Sequence, residues 1–162
     1  MGLWNETREV KLSDGSVIVV KHVGTEDEPT LNQRIVNDYL DVCRAARQRI
    51  RKKLAALSPD DALELVYGEG WQAVTVPELV DDKETGQMRR LAIGDAIKMA
   101  FLRDGEVSRA YSALVRARII HGVVDGDAAY KRVFEQGGPA LLEEAALAVR
   151  AYNELGDAEK NG

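Results

Sequence analysis

Few side chains in this sequence can do chemistry, and their spacing decides what that chemistry could be. His22, His121 and Cys43 are the only imidazole and thiol groups in the chain. A structural zinc site takes four such groups in short paired spacings, so this set does not supply one. Asp125-Gly126-Asp127 opens like a calcium loop. The loop then requires Asp or Asn, a glycine and a closing glutamate, but those places hold Ala129, Tyr130 and Gln136. The carboxylate pairs Asp60-Asp61 and Asp81-Asp82 fall in expected turns, where capping and solubility account for them. There is no phosphate-cradling G-x-x-x-x-G-K-[ST] run and no G-x-S-x-G nucleophile elbow. His22 is expected at a strand end and His121 at a helix end, both as structural residues. The sequence therefore offers no catalytic residue, no cofactor-binding residue and no metal ligand, and the chain reads as a non-enzyme.

A segregated charge is the stronger signal. Arg44, Arg47, Arg49, Arg51, Lys52 and Lys53 lie in a stretch without acidic residues from Cys43 through Pro59. They are six of 22 basic residues, so the rest of the chain carries 16 basic against 27 acidic side chains. Such a run can face phosphates, with Arg44, Arg47, Arg51 and Lys52 as contacts. It can equally be a solvated helix face whose cations suit a C-terminal end. Aromatics that would stack on bases are missing from the stretch.

These charges need a helix to position them, and the pattern provides one. Thr30 and Gln33 have capping-box spacing. Leu31, Ile35, Tyr39, Val42, Ala46, Ile50, Leu54 and Leu57 form an apolar stripe over residues 30–57. Before it, residues 8–23 read as a β-hairpin. Val10 and Leu12 alternate with charged residues, Asp14-Gly15 supplies the turn, and the β-branched run from Val17 to Val20 follows. A lone hairpin is marginal in water, so this one must pack on something.

Ser58 and Pro59 restart a short helix to about Tyr67, which Gly68-Glu69-Gly70 breaks. Residues 71–80 are ambiguous between a strand and an irregular segment. A helix is expected from Met88 to Arg103, with Leu91, Ile93, Ile97, Ala100 and Phe101 inward, ended by Asp104-Gly105. Ser108 to Ile120 reads as another, with Tyr111, Leu114, Val115 and Ile119 inward.

The clearest element is the last helix. Gly137 and Gly138 break what precedes, and Pro139 suits a first helical residue because its missing N–H would be unpaired there. Leu141, Ala145, Ala148, Tyr152 and Leu155 form one stripe, with Leu142 and Val149 beside it, and Gly156 is expected to stop the helix. Burying each large side chain contributes roughly 1.5–3 kcal/mol, so something must cover the stripe. The chain's own core is one cover. A partner, or a second copy of this chain, at Leu141, Tyr152 and Leu155 is the other.

The expected fold is therefore α+β, mainly α, with an N-terminal β-hairpin packed on a helical bundle. Residues 1–162 form a single domain, 58–156 its helical remainder and 157–162 a flexible tail. Net charge of −5 argues against a protein dedicated to nucleic acid. One cysteine, no apolar run of membrane-spanning length, no secretory leader, and Glu6 where a myristoylation signal wants Ser or Thr together point to an intracellular chain away from membranes.

Three stretches resemble the tail assembly chaperones of long-tailed bacteriophages. VKLSDGSVIVVKHV is similar to that family's short hairpin with an Asp-Gly turn. RIIHGVVDGDAAYKRVF is similar to its apolar helix end, Asp/Gly turn and downstream aromatic, with Val124, Asp125, Gly126 and Phe134 in those places. LLEEAALAVRAYNELGDAEKN is similar to its closing helix with an N-x-L motif and a Lys-Asn-containing tail. The likeness covers the first and last thirds, and the basic helix and residues 71–80 depart from it. It implies a non-catalytic protein of the infected host's cytoplasm, absent from the mature virion. Its partner would be the tape-measure protein, with the major tail tube protein as a second candidate. It also implies two product lengths through ribosomal frameshifting, for which Glu159-Lys160-Asn161 could be encoded with a slippery A-rich run. The competing readings are a nucleic-acid-associated or packaging protein using residues 44–53, and a structural head or neck component.

Overall fold

A computed structural model describes residues 3–69 and 93–161, with side chains for 4–69 and 93–154. A short 3-10 turn at Leu3–Asn5 precedes strands β1 (Thr7–Lys11) and β2 (Val17–Lys21). Helices follow at α1 (Leu31–Ala55), α2 (Pro59–Tyr67), α3 (residues 93–102), α4 (Gly105–Gly122) and α5 (Gly126–Asn161). The fold is mainly helical α+β, with the two strands antiparallel and Val10 opposite Ile18. Residues 71–80, the pair Asp81-Asp82, Leu91 and the start of the helix expected from Met88 lie outside the described residues.

The hairpin forms where the turn chemistry indicated. Gly15 takes φ 90°, open to glycine at little cost. Asp14 Oδ1 accepts from the Ser16 N–H at 3.0 Å and from its hydroxyl at 2.6 Å. Period-two alternation then sends Ile18 and Val20 inward and leaves Val17 exposed.

The chain divides into two compact units. The first comprises residues 1–39 and 110–162, the second residues 40–109. In the first, β2 lies against α5, and Ile18, Val20 and Val23 meet Val115, Ile119, Val133, Leu142 and Val149 in one apolar core. The link from α4 to α5 adds a third piece of backbone to the hairpin. Val123 bridges Val20, and the Val124 N–H donates to the Val19 carbonyl at 2.8 Å. Gly122 lets the end of α4 lie close against α5, because a Cβ there would collide with a Val149 methyl.

The last helix was expected to begin at Pro139. It does: Gly138 (φ 64°, ψ −156°) is non-helical and breaks the run just before Pro139, while the segment before the break, from Gly126, is also helical and was not expected to be. Gly138 alone absorbs the positive φ, so the double glycine marks a kink between two helical segments. The backbone also stays helical through Gly156 to Asn161, where a stop and a flexible tail were expected. Gln33 does not close a capping box either: its amide donates along α1 to Asn37 Oδ1 at 2.9 Å.

In the second unit, α2 begins as expected. Ser58 Oγ accepts from the Asp61 N–H at 3.2 Å, and the Gly68 N–H closes the other end on the Glu64 carbonyl at 2.7 Å. Ile50, Leu54 and Ala62 form a small core with Ile97 and Phe101 packed against it. Leu63 and Ala96 form another with Val66 and Ile93. Asp104-Gly105, read as a helix end, also opens α4. Asp104 Oδ1 accepts from the N–H groups of Glu106 and Val107, both at 3.1 Å.

Candidate functional site

The stripe on the last helix is largely taken up by the chain's own core. Leu141 is buried with Leu142, Ala145 and Val149, so it is not available as a partner contact. Tyr152 is half-buried, packs against that core and lies 4.8 Å from the His22 ring, centroid to centroid. The side chain of Leu155 lies outside those described. Asn153, in the N-x-L motif, is buried and structural. Its Oδ1 accepts the Val23 N–H at 3.0 Å, and its Nδ2 donates to the Val149 carbonyl at 2.8 Å.

The carboxylates near the start of that segment also hold the first unit together. Glu144 accepts from both the N–H and the hydroxyl of Ser13, each at 2.6 Å. Glu143 accepts from the Tyr111 hydroxyl at 2.6 Å, and that bond, aided by burial, pushes the Tyr111 pKa up to about 12. Arg150 pairs with Glu154 at 2.8 Å. Burial lowers the pKa of Arg118, and the neighbouring Arg150 lowers it further.

His22 is buried between Trp4 and Tyr152, and His121 stands exposed in the last turn of α4. Cys43 is buried on α1. Asp125 takes φ 53°, and its carbonyl accepts the Ala129 N–H at 2.8 Å, so the Asp-Gly-Asp stretch turns into α5. Among the described residues no group of three or more His, Cys, Asp or Glu side chains could hold a metal ion.

The basic run is where surface chemistry gathers, and the second unit divides it. Arg44 pairs with Asp41 at 3.0 Å on the exposed face of α1. Arg49 reaches Asp104 at 3.0 Å and Glu106 at 3.4 Å. The Arg47 guanidinium lies over the Phe101 ring, 4.7 Å from its centroid. Arg51 and Lys52 are exposed. Of the four candidate nucleic-acid contacts, two are thus engaged by neighbours of the same unit.

Two grooves flank this region within the second unit. One, of about 520 Å³, is lined by Ile50, Leu54, Leu65, Val66 and Ala100, with Arg49, Lys53, Arg103 and Asp104 among its polar residues. The other, of about 530 Å³, runs between α1 and α3 over Ile97, Phe101 and Leu102, with Arg47, Arg51 and Lys98 around it. Leu65 is 53% exposed and Leu102 is 72% exposed. A leucine left this open beside an apolar groove indicates an interaction surface more than a solitary surface residue does. Sequence reasoning missed both grooves. The available signal was Leu102, an apolar residue adjoining the inward Phe101 and off the helix's inner stripe.

Among the described residues no helix is long and apolar enough to cross a membrane. Compared with protein-family descriptions, curated proteins and solved structures, the chain matches none.

Proposed function

We propose that this protein is a non-catalytic tail assembly chaperone of a long-tailed bacteriophage, which binds the tape-measure protein and keeps it soluble until the tail tube forms around it. The observation that carries the reading is the apolar surface of the second unit, two grooves with Leu65 and Leu102 open beside them. A long helical client with exposed apolar stripes aggregates unless they are covered. Grooves floored by Ile50, Leu54, Ile97 and Phe101 suit the laying of such a stripe against them.

The likeness of the hairpin, of the turn before α5 and of the closing segment to that chaperone family adds support. The protein then works in the cytoplasm of the infected bacterium and leaves before the virion matures, with the tail tube protein as a second partner. Against a nucleic-acid role stand the Arg44–Asp41 and Arg49–Asp104 pairs and the seat of Arg47 on Phe101.

The test is co-expression with the long helical protein that this reading expects to be encoded beside this gene. Its soluble fraction should rise several-fold with this chain present and fall back when it is omitted. An unchanged soluble fraction rejects the reading.

A further inference from the structure

The two grooves differ in what their charges are doing. Beside the first, Arg49 already faces Asp104 and Glu106, and Arg103 donates to the Val66 carbonyl at 3.1 Å. Around the second stand three cations, Arg47, Arg51 and Lys98, and no carboxylate is among its described lining residues. Arg47 is held over Phe101 by its attraction to the ring face, so one positive charge is fixed against the apolar floor. Arg51 lies one helical turn from Arg47 on the same face of α1, and Lys98 adds a charge from α3. Leu102 projects beside them.

We propose that the α1/α3 groove receives an amphipathic helix of a partner protein whose apolar stripe is flanked by Asp and Glu. The apolar residues would settle on Ile97, Phe101 and Leu102, and the flanking carboxylates would meet Arg47, Arg51 and Lys98. The charge distribution of the chain favours this occupant. Outside the basic run the sequence is strongly acidic, so an acidic helix is repelled by most of the molecule and steered to this groove. A basic helix would meet three like charges at the groove. If the proposed chaperone function holds, the occupant is a segment of the tape-measure protein, and this inference specifies its chemistry.

The test measures binding of two synthetic helical peptides to the full chain by fluorescence anisotropy. Both carry one leucine stripe, flanked by Glu in one and by Lys in the other. The Glu peptide should bind about tenfold more tightly at low salt, with the advantage shrinking as salt rises. Arg51→Glu with Lys98→Glu should reverse the preference. Leu102→Asp should weaken both peptides, and because Leu102 is open to solvent that variant should melt like the parent protein. Equal binding of the two peptides overturns the proposal, as does a preference that survives the double charge reversal. An oligonucleotide that displaces the Glu peptide through Arg51 and Lys98 also overturns it in favour of nucleic acid. A dimer that buries Leu102 and excludes both peptides overturns it in favour of a second copy.

Co-expression separates this result from the broader reading. Solubilisation of the client by the parent chain and equally by the groove variants refutes the groove and leaves the chaperone function standing. Failure to solubilise the client, with the Glu peptide still bound at the groove, does the reverse.

Discussion

Asn153 and Val23, 130 residues apart, are joined by a buried hydrogen bond in which the Val23 N–H donates to Asn153 Oδ1 at 3.0 Å. The same amide donates to the Val149 carbonyl at 2.8 Å, so one side chain joins the end of β2 to the last helix. Removing it leaves a buried N–H without a partner, which costs about 1–3 kcal/mol. Asn153→Ala should therefore lower the melting temperature by about 2–4 °C for each of those kcal/mol. Asn153→Asp should be no better, because its carboxylate oxygen would face the Val149 carbonyl where Nδ2 now donates. Urea denaturation of both variants gives the comparison, and a change below about 0.5 kcal/mol would assign Asn153 no structural role.

The first unit was written in the sequence in part. Asp14-Gly15 between alternating residues located the hairpin, and the spacing of Leu141, Ala145, Ala148 and Tyr152 located the last helix and its inward face. The helical stretch from Gly126 to Gly137 was not legible. Gly137-Gly138-Pro139 reads as a boundary, and the non-helical Gly138 does separate the segment that starts at Gly126 from the one that starts at Pro139. Asn153 entered the sequence reading only as part of an N-x-L motif, because its partners, Val23 and Lys21, are remote in sequence. In the second unit Arg49 looked like one more member of a basic run, since its carboxylate partner Asp104 lies 55 positions away. The grooves were hidden for the same reason. The first combines residues of α1, α2 and α3 and the second residues of α1 and α3, over intervals that local periodicity does not bridge.

Tyr111 ties stability to alkaline pH. Its hydroxyl donates to Glu143, and this bond, then burial, then the Glu143 charge hold its pKa up at about 12, against 10 for an ordinary tyrosine. The fold therefore favours the neutral phenol. That contribution is complete below the unfolded value near 10 and is lost as pH rises from there through about 12. In wild type, stability should decline across that window more steeply than in Tyr111→Phe, which has no phenol to titrate. Ultraviolet titration should show one phenolate fewer appearing near pH 12 in the variant. Parallel stability profiles for the two proteins would remove Tyr111 from the account.

Arg49 and Arg44 belong to the same basic run but should not behave alike. Asp104 is the partner of Arg49 and also caps α4, and its side chain is only 12% exposed. Asp104→Ala should cost about 1–2 kcal/mol from the lost cap alone, with the loss of the ion pair added to it. Arg49→Met should cost less, because it removes the pair and keeps the cap. Arg44→Ala breaks an exposed pair with Asp41, worth about 0–1 kcal/mol, and should change the melting temperature little. Equal effects of Asp104→Ala and Arg44→Ala would mean that Asp104 neither caps α4 nor anchors Arg49.

The salt dependence of DNA binding separates a basic surface from a phosphate-reading one. If Arg44, Arg47, Arg51 and Lys52 all contacted duplex phosphates, the affinity would fall with salt at a log–log slope of about −3.6, at 0.9 per contact. Arg44 is paired with Asp41, and Arg47 is seated on Phe101. Recruiting either to phosphate gives up an existing interaction. The expected slope is therefore about −2 or shallower, set by Arg51 and Lys52. Asp41→Asn, which releases Arg44, should steepen it by about one unit. Filter binding over a salt series on the parent chain and this variant reads both quantities. A parent slope near the four-contact value, insensitive to Asp41→Asn, would show all four cations already on the phosphates and would move the basic helix from a helix-receiving surface to a nucleic-acid interface.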